Sequence, residues 1–293
     1  MQSRHLHRTG VVCHDAGGAN QIFAMLLDSN RDHVKGYFEG PAHHIYKTLL
    51  PDLKCVGRID DLLHNTELLI SGTSWSSSLE HEVREQAQAR RIYSIAVLDH
   101  WTNYAERFVR DGNEVFPDEI WVVDEYALKI AQDTFPAIKI RLQQDLYAKQ
   151  QLQKIFPLTE DNRSELLYLL EPMRSDWGQG ELGEFQALRY FFERLSLLSL
   201  PTDTVIRLRP HPSDYPGKYD TFLAPRNGFQ VLLDTGDLSR ALSRAHWVVG
   251  CQTYAMTIAL RAGRKVYSSL PPWAPTCILP HQGLVHIKDL VSA

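Results

Sequence analysis

Short apolar segments recur along the chain, and most of them are followed by a stretch whose apolar residues have helical spacing. In the first half the predicted strands are residues 9–13, 33–38, 68–71, 92–98, 119–123 and 138–142. In the second half they are residues 165–170, 204–208, 229–232, 246–249 and 265–268, of which the last is the final clear strand. Strands that alternate with helices across short loops predict α/β domains built on doubly wound parallel sheets.

The pattern of strands is interrupted once, by a polar and Gln-rich stretch at residues 147–162. We therefore expect two Rossmann-like domains, residues 1–150 and 151–293. Ligands of open parallel sheets bind outside the carboxyl ends of the strands. The sequence thus predicts that the loops after the strands of both domains face a shared cleft.

Charge and cysteine content narrow the class of protein. The formal net charge is -4 and neither sign forms long runs, so we expect no nucleic-acid partner. Cys13, Cys55, Cys251 and Cys277 are far apart, which indicates neither a disulfide framework nor a zinc site. The first nine residues lack the apolar core of a signal peptide, and no apolar run reaches the roughly 20 residues that span a bilayer. We expect a cytoplasmic protein, with peripheral membrane contact left open.

A rigid cationic turn follows the predicted strand 204–208. Arg207 and Arg209 flank an apolar residue at the strand end, and His211 lies between two prolines, the second of which is Pro212. Because proline fixes its own φ and holds the preceding residue in extended geometry, the imidazole has little freedom. Arginine and histidine side chains in such a turn suit a phosphate. The alternative is a proline-rich turn with solvated charges.

A second candidate for phosphate binding lies at residues 250–254, where a buried strand runs into a helix. The free N–H groups and the dipole of a helix N-terminus favour an anion. Gln252 and Thr253 occupy this turn. The alternative is that Thr253 only caps the helix.

The first predicted strand ends at His14 and Asp15, and the glycine pair Gly17 and Gly18 follows. The spacing is not that of a dinucleotide-binding fingerprint, so we interpret the segment as a strand-to-helix turn that approaches a ligand closely. Asp15 beside an imidazole can act as a general base towards a hydroxyl group. An Asx turn or a helix cap is the equally weighted alternative.

Asp99 and His100 form a second acid and imidazole pair at a strand end and are the rival for the general base. Trp101 could stack on a sugar or base ring, although aromatic residues beside a strand end more often belong to a core. Ser74, in a serine-rich loop, could line a polar pocket or serve only to cap a helix. The chain has no GxSxG or HExxH motif, so the serine hydrolase and zinc protease classes are not indicated.

These motifs resemble those of bacterial GT-B glycosyltransferases that carry a His-Pro motif. That branch includes sialyl- and Kdo-type transferases, which use CMP-sugars, and the CDP-glycerol glycerophosphotransferases. The resemblance is carried by the segment 209–212, the turn 250–253 with the helix behind it, the Gly17-Gly18 segment, and the strand and helix from Asp118 to Pro136. It departs from the sialyltransferase pattern where Gln252 and Thr253 replace a pair of serines.

The resemblance implies that the first domain binds a glycan acceptor and the second a nucleotide-sugar donor. His211 would bind the donor phosphate together with Gln252 and Thr253, and Asp15 would deprotonate the acceptor. It implies a metal-independent transferase without a cofactor, acting in envelope polysaccharide or lipopolysaccharide assembly, with a CMP-activated acidic sugar as the favoured donor. Three alternatives stay open: a CDP-polyol phosphotransferase, a nucleotide-sugar epimerase and a non-catalytic nucleotide-sugar-binding protein.

Overall fold

The computed structural model describes residues 8–75, 77–158, 164–173 and 175–290. The chain divides into two compact units, Met1–Gln150 and Gln151–Ala293, and each contains one parallel sheet with helices around it. Residues 1–7, part of the stretch in which no signal peptide was expected, lie outside the described residues, as do residues 159–163 of the polar connector. No helix in the described part of the chain is long and apolar enough to cross a membrane.

The first unit contains a seven-stranded sheet within the described residues. The strands of this unit are β1 (Thr9–Cys13), β2 (Val34–Phe38), β3 (Lys54–Cys55), β4 (Leu68–Ser71), β5 (Tyr93–Val97), β6 (Val109–Arg110), β7 (Asn113–Glu114), β8 (Glu119–Val122) and β9 (Lys139–Leu142). The sheet order is β3-β2-β1-β4-β5-β8-β9 with every pair parallel, and β6 and β7 form a separate antiparallel hairpin. The helices are α1 (Ala16–Leu27), α2 (Gly40–Leu49), α3 (Ile59–Leu63), α4 (Leu79–Ala89), α5 (Glu125–Thr134) and α6 (Leu146–Leu152).

The second unit contains a six-stranded parallel sheet in the order β12-β11-β10-β13-β14-β15. Its strands are β10 (Glu165–Leu169), β11 (Val205–Arg209), β12 (Gln230–Leu233), β13 (Ala245–Gly250), β14 (Lys265–Ser268) and β15 (Leu284–His286). Its α-helices are α7 (Gly183–Glu193), α8 (Leu238–Arg244) and α9 (Tyr254–Arg261). The prediction of two doubly wound parallel sheets is confirmed.

The central strands are buried on both faces, which explains their continuous apolar sequences. In β1, Val11 and Cys13 pack into a core shared with α1 and α2, whereas Val12 packs on the opposite face with residues of α3 and α4. In the second unit Leu166 and Tyr168 of β10 pack against the aromatic residues of α7. Both sheets are therefore held by apolar contacts on two sides.

Several predicted boundaries differ from the structure. Helix α1 begins at Ala16, so Gly17 and Gly18 lie in its first turn rather than in a loop. Helix α7 ends at Glu193, and Leu195–Leu198 is a separate 3-10 helix. The strands β3, β6, β7 and β15 were not predicted, because each is two or three residues long and has no apolar run.

The packing around β2 predicts the effect of a small substitution. A Cβ atom on Gly36 would lie 2.2 Å from the ring of Phe38, which itself packs edge-on against Phe23 in the core. Gly36→Ala should therefore displace that ring and lower the free energy of unfolding by about 1–3 kcal/mol, measured by chemical denaturation. Gly57→Ala is the control, since a Cβ atom there meets nothing within 4 Å. Equal stability of the two variants would contradict this packing.

Candidate functional site

In each sheet the order of strands reverses at one place, and ligands of open α/β sheets bind beside that place. In the first sheet the reversal lies between β1 and β4, and in the second between β10 and β13. The residues that follow these strands and their neighbours β5 and β11 include most of the predicted site residues.

In the second unit His211 follows β11 in an exposed turn that fixes its tautomer. The backbone N–H of Ser213 donates to Nδ1 of His211 at 3.2 Å, and the Ser213 hydroxyl lies 2.7 Å from the same nitrogen. Because Nδ1 accepts the backbone N–H, the proton of the neutral ring is on Nε2. Burial lowers the pKa of His211, Asp214 opposes that change, and Lys218 adds to it. The ring is thus a neutral donor through Nε2.

A buried charge network holds this turn. The Asp214 carboxylate accepts the backbone N–H of His211 at 2.8 Å and pairs with Lys218 at 2.6 Å. Lys218 also pairs with Glu184 at 2.9 Å, and Glu184 accepts the backbone N–H of Met173 at 2.6 Å. The network therefore links the turn after β11 to the loop after β10, which are the two loops between which we expect a ligand.

Arg207 and Arg209, which were predicted to bind phosphate, each pair with a carboxylate in the structure. Arg207 donates two hydrogen bonds, of 2.8 and 3.0 Å, to Glu165, the first residue of β10, so its guanidinium points to the amino end of the sheet. Arg209 pairs with the buried Asp234 at 2.5 Å and donates to the Gly236 carbonyl at 2.6 Å. Both guanidiniums are neutralised by carboxylates, and His211 stays the predicted phosphate ligand of this turn. Pro212 is exposed beside it.

The turn after β13 leads into α9. Thr253 is the N-cap of α9, yet its side chain makes no capping hydrogen bond, so capping does not occupy its hydroxyl. The Gln252 side chain accepts the backbone N–H of Ile278 at 3.3 Å, which ties this turn to the segment after β14. The first N–H groups of α9 are thus preceded by a hydroxyl that can bind the same anion.

Glu171 also lies at this turn, although it was not among the predicted site residues. It is the second residue after β10, at the strand reversal, and its carboxylate accepts the backbone N–H of Gln252 at 3.0 Å. Burial raises the pKa of Glu171 to about 7, and the hydrogen bond from Gln252 opposes that rise. Its position two residues beyond a central apolar strand was the available signal.

In the first unit His14 and Asp15 follow β1 and contact each other. Nδ1 of His14 lies 2.8 Å from a carboxylate oxygen of Asp15, and the other oxygen accepts the backbone N–H of Trp75 at 3.2 Å. The backbone N–H of His14 donates to the buried Glu80 of α4 at 2.8 Å. Asp15 is the N-cap residue of α1 without a side-chain capping bond, so the Asx-turn alternative does not describe its carboxylate contacts.

Asp99, after β5, packs against the first turn of α1. A Cβ atom on Gly17 would lie 1.7 Å from a carboxylate oxygen of Asp99, so only glycine allows this approach. One on Gly18 would lie 3.1 Å from the Gly72 Cα atom, which brings α1 close to the end of β4. Asp99 also pairs with Arg107 at 3.4 Å. The glycine pair therefore admits a carboxylate and a neighbouring backbone at the reversal point.

The remaining predicted residues of the first unit differ in exposure. Burial lowers the pKa of His100, Asp99 opposes this and Arg107 adds to it. Trp101 is only 5% exposed and its indole N–H donates to Asp124, so it belongs to the core and is not a stacking surface. Ser74 is also buried, and its hydroxyl accepts the backbone N–H of Ser77 in the loop before α4. Trp75, whose backbone binds Asp15, is the exposed aromatic ring here, at 49%.

Metal ligation has no candidate in the described ranges, where no group of three or more His, Cys, Asp or Glu side chains could hold an ion.

Comparison with solved structures shows the fold. A Listeria monocytogenes protein assigned as a UDP-N-acetylglucosamine 2-epimerase is similar with a TM-score of 0.61 and 11% identity, over 89% of this chain and 79% of that one. The fold is GT-B-like. The Neisseria meningitidis UDP-GlcNAc 2-epimerase bound to UDP-GlcNAc has a TM-score of 0.58 and 10% identity over 89% and 82% of the two chains. A variant of the wall teichoic acid polymerase TagF has a TM-score of 0.51 and 12% identity over 89% and 70%. No protein-family model and no curated protein sequence matches the chain.

The contacts of Arg207 predict a purely structural role. Arg207→Leu should leave Glu165, whose side chain is 9% exposed, with Arg244 as its remaining partner, and so destabilise the second unit. We expect Arg207→Leu to have a lower melting temperature than wild type by calorimetry, and the folded variant to bind nucleotide with unchanged affinity. His211→Ala should instead lower the nucleotide affinity and leave the melting temperature unchanged. A loss of nucleotide affinity in Arg207→Leu would contradict the structural role of Arg207.

Proposed function

We propose that this protein is a nucleotide-sugar-dependent glycosyltransferase whose second unit binds the phosphate of the donor. The favoured donor is a CMP-activated acidic sugar, and the acceptor is a hydroxyl group of a glycan in envelope polysaccharide or lipopolysaccharide assembly. We place the reaction in the cytoplasm, with the enzyme free or peripheral at the inner membrane. The observation that carries the proposal is the orientation of His211, whose Nδ1 is held by Ser213 so that Nε2 donates.

Three features of the second unit support a phosphate site. A neutral imidazole that donates from Nε2 can bind a phosphate oxygen without giving up a proton. The adjoining turn after β13 presents the Thr253 hydroxyl at the start of α9, where the helix dipole favours negative charge. The buried network of Asp214 and Lys218 keeps the His211 turn in place. Together they can stabilise the charge that develops on a leaving nucleotide.

The first unit suits a different ligand. The first turn of α1 would be the anion site of that sheet, but the Asp99 carboxylate is packed against Gly17 there. A phosphate would be repelled by this charge. Carboxylates are, however, good acceptors for sugar hydroxyls, and one of them can take the proton from an attacking hydroxyl. We therefore assign the acceptor to the first unit.

Asp15 is the favoured general base, and Asp99 with His100 is the alternative. The Asp15 side chain is 34% exposed, whereas that of Asp99 is 16% exposed and paired with Arg107. In the reaction the base accepts the proton of the acceptor hydroxyl, the acceptor oxygen forms a bond to the sugar carbon, and the bond from that carbon to the nucleotide oxygen breaks. His14 orients the Asp15 carboxylate through the contact at Nδ1. No metal ion or cofactor is required by these roles.

A nucleotide-sugar epimerase is the second candidate, because the similar structures from L. monocytogenes and N. meningitidis are assigned to that class. An epimerase would convert UDP-GlcNAc into its C2 epimer without a glycan acceptor. A transferase would release the nucleotide, and faster when an acceptor is present. Product analysis therefore separates the two functions.

The test is to incubate the protein with CMP-sialic acid, CMP-Kdo, CDP-glycerol and UDP-GlcNAc, with and without glycan acceptors, and to follow nucleotide release and epimer formation. We expect acceptor-stimulated release of CMP. Binding of a donor without any turnover would leave only the non-catalytic alternative, and epimer formation would support the second candidate.

Two variants test the assigned roles. His211→Ala should weaken donor binding by about ten- to a hundredfold, because it removes a hydrogen bond to a charged group. Asp15→Asn should lower kcat by roughly 10²–10⁴ with donor binding unchanged, because it removes the base. His44→Ala, which changes an exposed histidine of α2, is the control and should retain full activity. An unchanged donor affinity in His211→Ala would mean that the turn is only structural.

A further inference from the structure

We propose that Glu171 makes nucleotide binding to the second unit proton-linked: a nucleotide phosphate binds beside Glu171 as the carboxylate takes up one proton from solvent. The inference rests on the proposed nucleotide site and adds a specific residue and a regulation by pH to it. The proposed function gives Glu171 no role.

The geometry places two anions on one turn. The Glu171 carboxylate accepts the backbone N–H of Gln252 at 3.0 Å, in the turn that leads through Thr253 into α9. A phosphate at the start of α9 would lie next to this carboxylate, and both anions would compete for hydrogen bonds from the same backbone N–H groups. Two negative charges in one partly buried site repel each other, and each disfavours the ionised form of the other. One of the two groups must therefore gain a proton.

Among the described residues, burial and the hydrogen bond from Gln252 are the causes that act on the pKa of Glu171, and no cationic side chain is one of them. The titratable groups whose charges interact with Glu171 are Tyr168 of β10, Cys251 after β13 and Cys277 after β14. Burial is the first cause of a raised pKa in each of the three, so all stay neutral near pH 7. Glu184 of α7, which also faces Cys251, is itself paired with Lys218. Among the described residues, only protonation can neutralise Glu171.

Protonation also converts Glu171 from a competitor into a ligand. The ionised carboxylate only accepts hydrogen bonds, whereas the protonated acid can donate one to a phosphate oxygen. Burial already raises the pKa of Glu171 to about 7 in the free protein. The energetic demand for one further proton near neutral pH is therefore small, and binding should weaken as the pH rises above 7.

The experiment is isothermal titration calorimetry of the full chain with CMP, CDP and UDP, each in two buffers of different ionisation enthalpy. Wild type should take up close to one proton per nucleotide at pH 8, and Glu171→Gln should take up none through this residue. Between pH 6.5 and pH 8 the nucleotide affinity of wild type should fall about eightfold more than the affinity of Glu171→Gln. This factor is the change in the protonated fraction of a group with a pKa near 7. The second ionisation of the nucleotide phosphate is common to both proteins and cancels in the difference.

Glu181→Gln is the matched control, because Glu181 lies in the same unit and pairs with Arg189 away from the turn. It should behave as wild type. Folding of Glu171→Gln is checked by its melting temperature. The folded state binds the Glu171 proton more tightly than the unfolded chain does, so wild-type stability falls as the pH rises from about 4 to 7, and the variant should melt at or above wild type at pH 8.

The outcomes separate the inference from the proposed function. Nucleotide binding by wild type without proton uptake, or the same uptake in Glu171→Gln, would overturn the role of Glu171 and leave the nucleotide site in place. If none of the three nucleotides binds wild type, the proposed function is wrong and the inference fails with it.

Discussion

The reversal of strand order in each parallel sheet is the constraint on which the candidate site depends. Helices leave β1 and β4, or β10 and β13, on opposite faces of the sheet, so the loops after these strands are not covered by a crossing helix. The backbone groups in those loops are available to a ligand. Buried apolar contacts on both faces fix the strands, and the strand ends fix the side chains that follow them.

The two reversal points have different chemistry although their backbones are alike. In the first sheet Asp15 and Asp99 lie at the start of α1, and glycine at position 17 is what allows Asp99 to approach. In the second sheet the start of α9 is accompanied by a neutral His211 and by the Glu171 carboxylate, whose pKa is raised to about 7. The charges of these side chains thus favour hydroxyl groups at the first reversal point and phosphate at the second reversal point. This difference, rather than a sequence motif, is the physical basis of the assignment of donor and acceptor.

The fold was predictable because its central strands are continuous apolar runs followed by small or polar residues. β1 and β10 are buried throughout and were identified from sequence, while β3 and β15 were missed because short edge strands carry no apolar pattern. The site was predictable only in part. Periodicity indicates which residues end a strand, but not that Arg207 meets Glu165 on the next strand.

Trp101 and Trp75 illustrate the same limit. Both lie in loops after strands of the first sheet, yet one is buried against Asp124 and the other is exposed beside Asp15. The difference arises from contacts with elements that are distant in sequence. Glu171 was missed because a lone glutamate before a proline has no local signature, and its role follows only from the adjacent Gln252 N–H.

A crystal structure with a bound CMP-sugar or CMP tests the central claim most directly. We expect a phosphate oxygen within hydrogen-bond distance of Nε2 of His211, and close to the Thr253 hydroxyl and the first N–H groups of α9. A phosphate bound instead at the first turn of α1, against Gly17 and Asp99, would contradict the assignment of the nucleotide to the second unit.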